Sequence, residues 1–178
     1  MKIEEFVRQP IIASARFTLR PLRSQDADYV ARYANDQKVA QMTSSIPHPL
    51  SLDQARAFVA RSMAEDREDD VWALDGSGSG VSPLLGIISL KALDRGQSEI
   101  GFWVVPEFWN LGYATEAVNT LIAANPQGCT SVVACVFQDN PTSARVLSAA
   151  GFANLGEAEA FSLARGTHVP TWTYLKTI

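Results

Sequence analysis

Two strand-then-helix patterns in succession constrain this chain more than anything else in its sequence. In the first, Glu99-Ile100-Gly101-Phe102-Trp103-Val104-Val105 alternates like a strand and Pro106 stops it. Gly112 and the small residues after it then open a helix that buries Ala114, Ala117, Val118, Leu121 and Ile122. In the second, Ser131-Val132-Val133-Ala134-Cys135-Val136-Phe137 is an almost continuous apolar run, the kind expected of a strand covered on both faces. Asp139 or Asn140 caps the helix that follows, Pro141 sits in its first turn and Gly151 closes it. A crossover helix links parallel strands, so the Glu99 strand and the Ser131 strand are expected to run side by side in one direction. The small-residue loop before the first helix points free backbone N–H groups at one spot, and such a spot attracts phosphate. Taken alone, a Gly and an Ala at a strand-to-helix turn usually serve only the turn.

The rest of the chain supplies antiparallel neighbours. Residues 17–22 alternate like a strand, and residues 24–35 carry Ala27, Val30, Ala31 and Ala34 at helical spacing. After a turn-rich loop at 43–49, Ser51 and Gln54 form the reciprocal pattern of a capping box, with Leu52, Ala55, Phe58, Val59 and Met63 as the core face of the helix. That helix dissolves in the charged run 65–70, read as a solvated end rather than a binding patch. Short strands at 71–74 and 84–90 are joined by a Gly/Ser stretch at 75–80, read as a flexible hairpin loop, and 94–96 turns the chain into the central strand. Two last strands start at Phe152 and Val169.

Composition removes several classes of function. The 178 residues, 47% hydrophobic and 19% charged, suit one domain over 1–178 with one core. A net charge of −4 without any run of Lys or Arg argues against a grip on nucleic acid or on an anionic membrane, whereas a cationic partner such as an amine is easily accommodated. No apolar stretch reaches the roughly eighteen residues of a membrane span. The start, Met1-Lys2-Ile3-Glu4-Glu5-Phe6, lacks a signal peptide's apolar core, so a cytoplasmic protein is expected. Cys129 and Cys135 have no second pair and no accompanying His, so neither a disulfide framework nor a metal site is expected.

Four motifs then occur in order. They are Arg16-Phe17-Thr18-Leu19-Arg20-Pro21-Leu22, Glu99-Ile100-Gly101-Phe102-Trp103, Gly112-Tyr113-Ala114-Thr115-Glu116-Ala117, and Asn140-Pro141-Thr142-Ser143-Ala144-Arg145-Val146-Leu147 followed by Gly151-Phe152. Together they resemble the GNAT N-acetyltransferases over nearly the whole chain. More narrowly they are similar to the RimJ/RimL-like branch, associated with acetylating protein N-terminal amines and small amines. The resemblance implies an α+β fold whose mixed, mostly antiparallel sheet splays between two central parallel strands, is flanked by helices, and takes acetyl-coenzyme A (acetyl-CoA) into the gap. It also implies that the loop Trp109-Asn110-Leu111-Gly112-Tyr113-Ala114, with Thr115 behind it, holds the pyrophosphate through backbone N–H groups. Val104 and Val105 are expected to pair with the pantetheine arm like an added strand, and Asn140, near Ser143, to help hold that arm. The chain departs from the pattern at three places. Trp109 replaces the usual Gln or Arg at the loop's opening. Asn110 and Leu111 stand where relatives are small and cationic, which bears on coenzyme affinity rather than binding mode. Leu147 stands where many members carry a Tyr that protonates the leaving thiolate. A thiol has a pKa of about 8.5, so the thiolate leaves tolerably near neutral pH and a dedicated acid is helpful rather than essential.

Acetyl transfer needs a neutral amine, alignment, and donors for an oxyanion. An α-amino group has a pKa of about 8, so a base is required, and Glu99 is the first candidate because an apolar strand would desolvate it. The bland alternative is an ion pair with Lys91 or Arg95. A backbone N–H near Val104 is the expected oxyanion donor. Ser143 is a candidate weak acid that orients the thiol or a water, or else a helix cap. Cys135 invites an acetyl-cysteine route, against which stands a buried structural thiol with no visible base, the preferred reading. His48, Trp72 and Trp103 are candidates for the acceptor side: His48 from a Pro-flanked loop, the two Trp as core aromatics lining a cleft, while Tyr113 packs beneath the phosphate loop. Two functions follow, an acetyltransferase working by direct attack in a ternary complex and a catalytically weak acyl-CoA sensor or interaction module. Glu99, Asn140 and the Gly112-Tyr113-Ala114 run favour the first, Asn110-Leu111 and Leu147 the second. A ribosomal-protein N-terminus, another peptide amine, a polyamine and an aminoglycoside all remain compatible acceptors. Dimers occur among similar proteins, so the resemblance allows a homodimer.

Overall fold

The computed structural model describes residues 9–178. The start of the chain, from which a cytoplasmic protein was inferred, lies outside the described residues. The strands are β1 (Ile12–Ala13), β2 (Thr18–Pro21), β3 (Asp69–Asp75), β4 (Gly86–Ala92), β5 (Gln97–Val104), β6 (Ser131–Phe137), β7 (Ala153–Ser162) and β8 (Thr167–Thr177). The helices are α1 (Asp26–Tyr33), α2 (Gln37–Ala40), α3 (Leu52–Met63), α4 (Tyr113–Ala124) and α5 (Pro141–Ala149). All eight strands form one sheet in the order β1-β2-β3-β4-β5-β6-β8-β7. Every neighbouring pair is antiparallel except β5 and β6, which run parallel as the crossover through α4 requires.

That parallel seam is short. It holds for Gln97 with Ser131, Ser98 with Val132 and Glu99 with Val133, and then the strands part although β5 runs on to Val104 and β6 to Phe137. The cause is visible in their other partners. β4 follows β5 as far as Gly86 opposite Val104, and β8 follows β6 as far as Thr171 opposite Phe137. Each half of the sheet keeps its own ladder, so the twist separates them at the one seam with little pairing to lose.

Alternation along the strands feeds two cores. Trp72, Leu74, Ile88, Ile100, Val132 and Val136 point to the face under α4 and α5, where Val118, Leu121 and Leu147 meet them. Val71, Ala73 and Ile87 point to the opposite face and meet Val30 of α1 and Ala55 and Val59 of α3. This second layer contains no residue of β6, β7 or β8, so the expectation that β6 is covered on both faces is corrected: Val132, Ala134 and Val136 are buried, but Cys135 on the other face is exposed.

Local signals explain the boundaries. Ser51 Oγ accepts from the Gln54 amide while Gln54 Oε1 accepts from the Ser51 amide, completing the capping box. Asn140, not Asp139, caps α5. The Gly/Ser stretch read as flexible contains a short 3-10 turn at Ser77–Ser79, pinned by Asp75 Oδ1 to the amide and hydroxyl of Ser77. The charged run ends differently from the expectation too, since Asp69 and Asp70 already belong to β3. Arg20, buried at 4% exposure, forks onto Asp26 at 2.8 and 2.9 Å and reaches Asp75 at 2.6 Å, which ties β2 to α1 and to the end of β3. Removing one partner of such a buried group costs about 3–5 kcal/mol.

Candidate active site

The loop between β5 and α4 is built from unusual backbone. After a short 3-10 turn at Pro106–Phe108, Asn110 and Gly112 both take left-handed conformations, with φ of 61° and 81°. Helix α4 starts immediately after Gly112 and has no side-chain cap, whereas α2, α3 and α5 are capped by Asp36, Ser51 and Asn140. Helical geometry leaves the first-turn amides of Tyr113, Ala114 and Thr115 without carbonyl partners, and the amide of Glu116 is the first to return, to Gly112 O at 3.1 Å. A cluster of unpaired amides at the positive end of a twelve-residue helix is a cradle for an anion, and a pyrophosphate fits it. Tyr113 packs below the cradle, with ring centroids 6.1 Å from Phe17 and 6.2 Å from Phe108.

Beside this cradle lies the opened seam. Val105 N–H donates to Leu85 O at 2.9 Å, Val105 O accepts from the Phe108 amide at 2.9 Å, and Val104 O accepts from Trp109 Nε1 at 2.7 Å. The expectation that backbone groups of both valines serve the pantetheine arm is therefore narrowed. Because Val105 turns its amide toward β4, alternation turns that of Val104 into the gap, and this amide is the group left for a ligand. Trp109 folds back along the end of β5 instead of reaching outward. Across the gap, Asn140 Oδ1 accepts from the Ser143 amide at 3.2 Å while Asn140 Nδ2 donates to Ser143 Oγ at 2.9 Å. Ser143 thus has a capping contact and an oriented hydroxyl whose own hydrogen is not consumed by Asn140.

The open face of the seam carries Glu99, at the last paired position before the strands part. It is exposed, so the desolvation expected from its apolar strand is absent. Lys91 stands opposite it in register, but its Nζ is paired with Glu68 at 3.5 Å, and Glu99 has no ion-pair partner among the described residues. Cys135 lies on the same face, opposite Thr173 of β8. Partial burial and the charge of Glu99 both push its thiol above the ordinary value, so the proton stays on sulfur at neutral pH. Cys135 is therefore neither the buried thiol expected nor an activated nucleophile. Trp103 is half-buried against the α1–α3 core, and His48 is exposed. Trp72 is corrected: it is wholly enclosed, with Nε1 donating to Pro10 O at 2.8 Å, and it offers no surface to a cleft.

No sequence motif signals how this face is held. Arg165, in the β7–β8 turn, donates to Gln41 O through Nε at 3.0 Å and Nη2 at 2.7 Å, and forks onto Asp139 at 2.6 and 3.0 Å. Its guanidinium also lies 5.1 Å from the centroid of the Phe137 ring. Next to it, the amide of Leu163 donates to Ser44 O at 3.1 Å. One side chain thus joins the loop after α2, the turn before α5 and the β7–β8 turn, and Arg165 holds the Asp139 carboxyl below the ordinary carboxylate value. Arg16 sits behind the loop before α4, its Nη1 donating to Leu111 O at 2.8 Å. No group of three or more His, Cys, Asp or Glu is placed to hold a metal among the described residues.

Residues 16–153 match the acetyltransferase (GNAT) domain family. The chain belongs to that family. It is 27% identical over 172 residues to the uncharacterized N-acetyltransferase YoaA of Bacillus subtilis, covering 93% of this chain and 95% of that protein. Among solved structures, the fold superposes on the ribosomal-protein alpha-N-acetyltransferase RimL in complex with coenzyme A, with a TM-score of 0.81 at 16% identity over 95% of this chain and 98% of the other. It also superposes on Mycobacterium smegmatis RimJ in complex with CoA-disulfide, with a TM-score of 0.81 at 16% identity over 96% of this chain and 88% of the other. No helix among the described residues is long and apolar enough to cross a membrane.

Proposed function

We propose that this protein transfers the acetyl group of acetyl-CoA directly to a primary amine, at a protein N-terminus or on a small molecule, as the RimJ/RimL-like branch does. The observation that carries this reading is the parting of β5 from β6 immediately after Glu99 and Val133, beside the uncapped start of α4. In it, the amides of Gly112, Tyr113, Ala114 and Thr115 hold the pyrophosphate, and the Val104 amide and the Asn140–Ser143 pair lie along the gap that takes the arm. The cosubstrate supplies an activated acetyl group as a thioester.

The chain's own groups divide the remaining work. Glu99, on the open face and without an ion-pair partner among the described residues, takes a proton from the ammonium form of the acceptor, directly or through one water, so that the nitrogen lone pair can form the new C–N bond. The Val104 amide donates to the oxygen on which negative charge develops. As the C–S bond breaks, its electron pair stays on sulfur, the second proton shed by the attacking nitrogen passes to that thiolate or to solvent, and the Ser143 hydroxyl, oriented by Asn140, is placed to hydrogen-bond to the sulfur. The raised thiol pKa of Cys135 supports direct transfer rather than an acetyl-cysteine route, because a protonated thiol is a poor nucleophile. Trp103 and His48 border the acceptor's approach, and the net charge of −4 suits a cationic acceptor.

The test is a calorimetric titration of acetyl-CoA together with free-thiol release on a panel of peptides and small amines, in wild type and Glu99→Gln. The reading expects one binding site, turnover on at least one amine, and collapse of turnover in the variant with coenzyme affinity level. Binding without turnover on any amine would favour the sensor reading. Absence of binding would overturn both.

A further inference from the structure

The phosphate loop has a backbone that does not hold itself. Asn110 and Gly112 are both left-handed, a conformation that Gly adopts freely and Asn tolerates better than most residues. No side chain caps the helix that follows, and neither Asn110 nor Leu111 brings a cation to the loop. What fixes it comes from the far end of the sequence. Arg16 Nη1 donates to Leu111 O at 2.8 Å, and its Nε donates to Glu116 Oε1 at 2.8 Å. The guanidinium carbon lies 4.2 Å from the centroid of the Tyr113 ring, and Nη2 lies 3.4 Å from where a Cβ on Gly112 would sit. Glu116 is itself secured, because its Oε2 accepts from the Arg16 amide at 3.2 Å and from Ser14 Oγ at 2.8 Å, and Ser14 also meets Thr120 Oγ1 at 2.9 Å. Burial pushes the Glu116 carboxyl up, but the bonds from Arg16 and Ser14 together outweigh it and hold the group below its ordinary value, so the anchor is charged at neutral pH.

We infer that Arg16 is a positioning residue for coenzyme binding, acting through the Leu111 carbonyl on the amide of Gly112. A trans peptide is planar, so its C=O and N–H point in opposite directions. Holding Leu111 O on the Arg16 side therefore fixes Gly112 N–H on the other side, toward the cradle formed with Tyr113, Ala114 and Thr115. Stacking on Tyr113, the first residue of α4, locks the same turn from below. Arg16 thus contributes preorganisation, not a contact with the phosphates. A lysine cannot reproduce this, because the role needs a planar fork that serves Leu111 O and Glu116 at once while lying over the Tyr113 ring.

This inference rests on the coenzyme reading above, and its test separates the two. Calorimetry measures acetyl-CoA affinity in wild type, Arg16→Ala, Arg16→Lys and Glu116→Gln, and chemical-shift titration measures S-acetylpantetheine, which lacks the phosphates. The expected result is affinity for acetyl-CoA weakened about tenfold or more in both Arg16 variants, a smaller loss in Glu116→Gln, and S-acetylpantetheine affinity unchanged in all. Hydrogen exchange at residues 110–114 should be faster in the unliganded Arg16 variants. Wild-type affinity in Arg16→Ala, or recovery in Arg16→Lys, overturns the positioning role. Equal weakening of both ligands also overturns it, because a general structural defect does not distinguish them. If Arg16→Ala does not fold, Glu116→Gln decides, with an unchanged acetyl-CoA affinity counting against the inference. Absence of acetyl-CoA binding in wild type removes the coenzyme reading and this inference together.

Discussion

The two sides of the opened seam are held in different ways. On the side proposed for the coenzyme the available groups are backbone amides between Val104 and Thr115, set by a helix terminus, two left-handed residues and a strand edge. On the side proposed for the acceptor the frame is tied by the side chain of Arg165, which reaches Gln41 across 124 positions of sequence and Asp139 across 26, and by the Leu163 amide on Ser44 O. The first arrangement presents backbone groups, steadied from behind by Arg16, which suits a constant cosubstrate. The second can be changed by one substitution or one loop length, which suits an acceptor that differs among relatives.

Substitutions can sharpen this contrast or break it. The largest effect is expected from Glu99→Gln, which should reduce turnover by roughly a hundredfold or more while acetyl-CoA affinity stays level, as thiol release and calorimetry would show. A parallel loss of coenzyme affinity would place Glu99 on the wrong side of the comparison. Gly112→Ala comes next. A Cβ at φ of 81° is disfavoured by about 1–2 kcal/mol, so the loop should shift and acetyl-CoA bind about tenfold more weakly, with the acceptor KM little changed. Arg165→Ala should do the reverse, raising the acceptor KM severalfold through a loosened loop at residues 41–50 while leaving acetyl-CoA affinity alone. Arg165→Lys should not restore it, since the fork onto Asp139 needs two parallel N–H donors. If coenzyme affinity falls in these variants, the staple also serves Asn140, one residue beyond Asp139, and the two sides are not separate.

The smallest effect is on acid stability. The Arg165 guanidinium beside Asp139 holds its carboxyl below the ordinary value, so this contact stabilises the fold fully above an unfolded-state pKa of about 3.9. Its contribution is lost as pH falls through the lowered folded-state value. The stability difference between wild type and Arg165→Ala, followed by chemical denaturation, should therefore be constant from about pH 5 to 8 and narrow only in strong acid. Because Asp139 is largely exposed, the change should be small.

What could be read beforehand follows the same division. Pro106, Gly112, the capping box of Ser51 and Gln54, and the strand-helix-strand-helix order are local signals for the loop, the helix starts and the parallel pair, whereas the splayed seam is expected from the family resemblance. The errors arose where a residue's environment is set by elements distant in sequence. The apolar run of β6 looks buried on both faces because hydropathy does not say where the α1–α3 layer ends, and so Cys135 and Glu99 were both expected to be more enclosed than they are. Trp72 was placed near a cleft because its depth depends on Pro10 and on packing across β2 and β4. The resemblance offers both Val104 and Val105 to the arm, and a strand pattern does not say which of the two turns its amide to Leu85. Neither Arg16 nor Arg165 announced itself, since an arginine's role here lies in the carbonyl it reaches.

Hydrogen exchange with and without acetyl-CoA tests the location of the coenzyme most directly. Slower exchange is predicted for the amides of Val104 and of residues 112–115, with residues 41–50 and the β7–β8 turn unaffected until an acceptor is added. Binding that leaves those amides unprotected, or protects the acceptor side instead, would contradict the account.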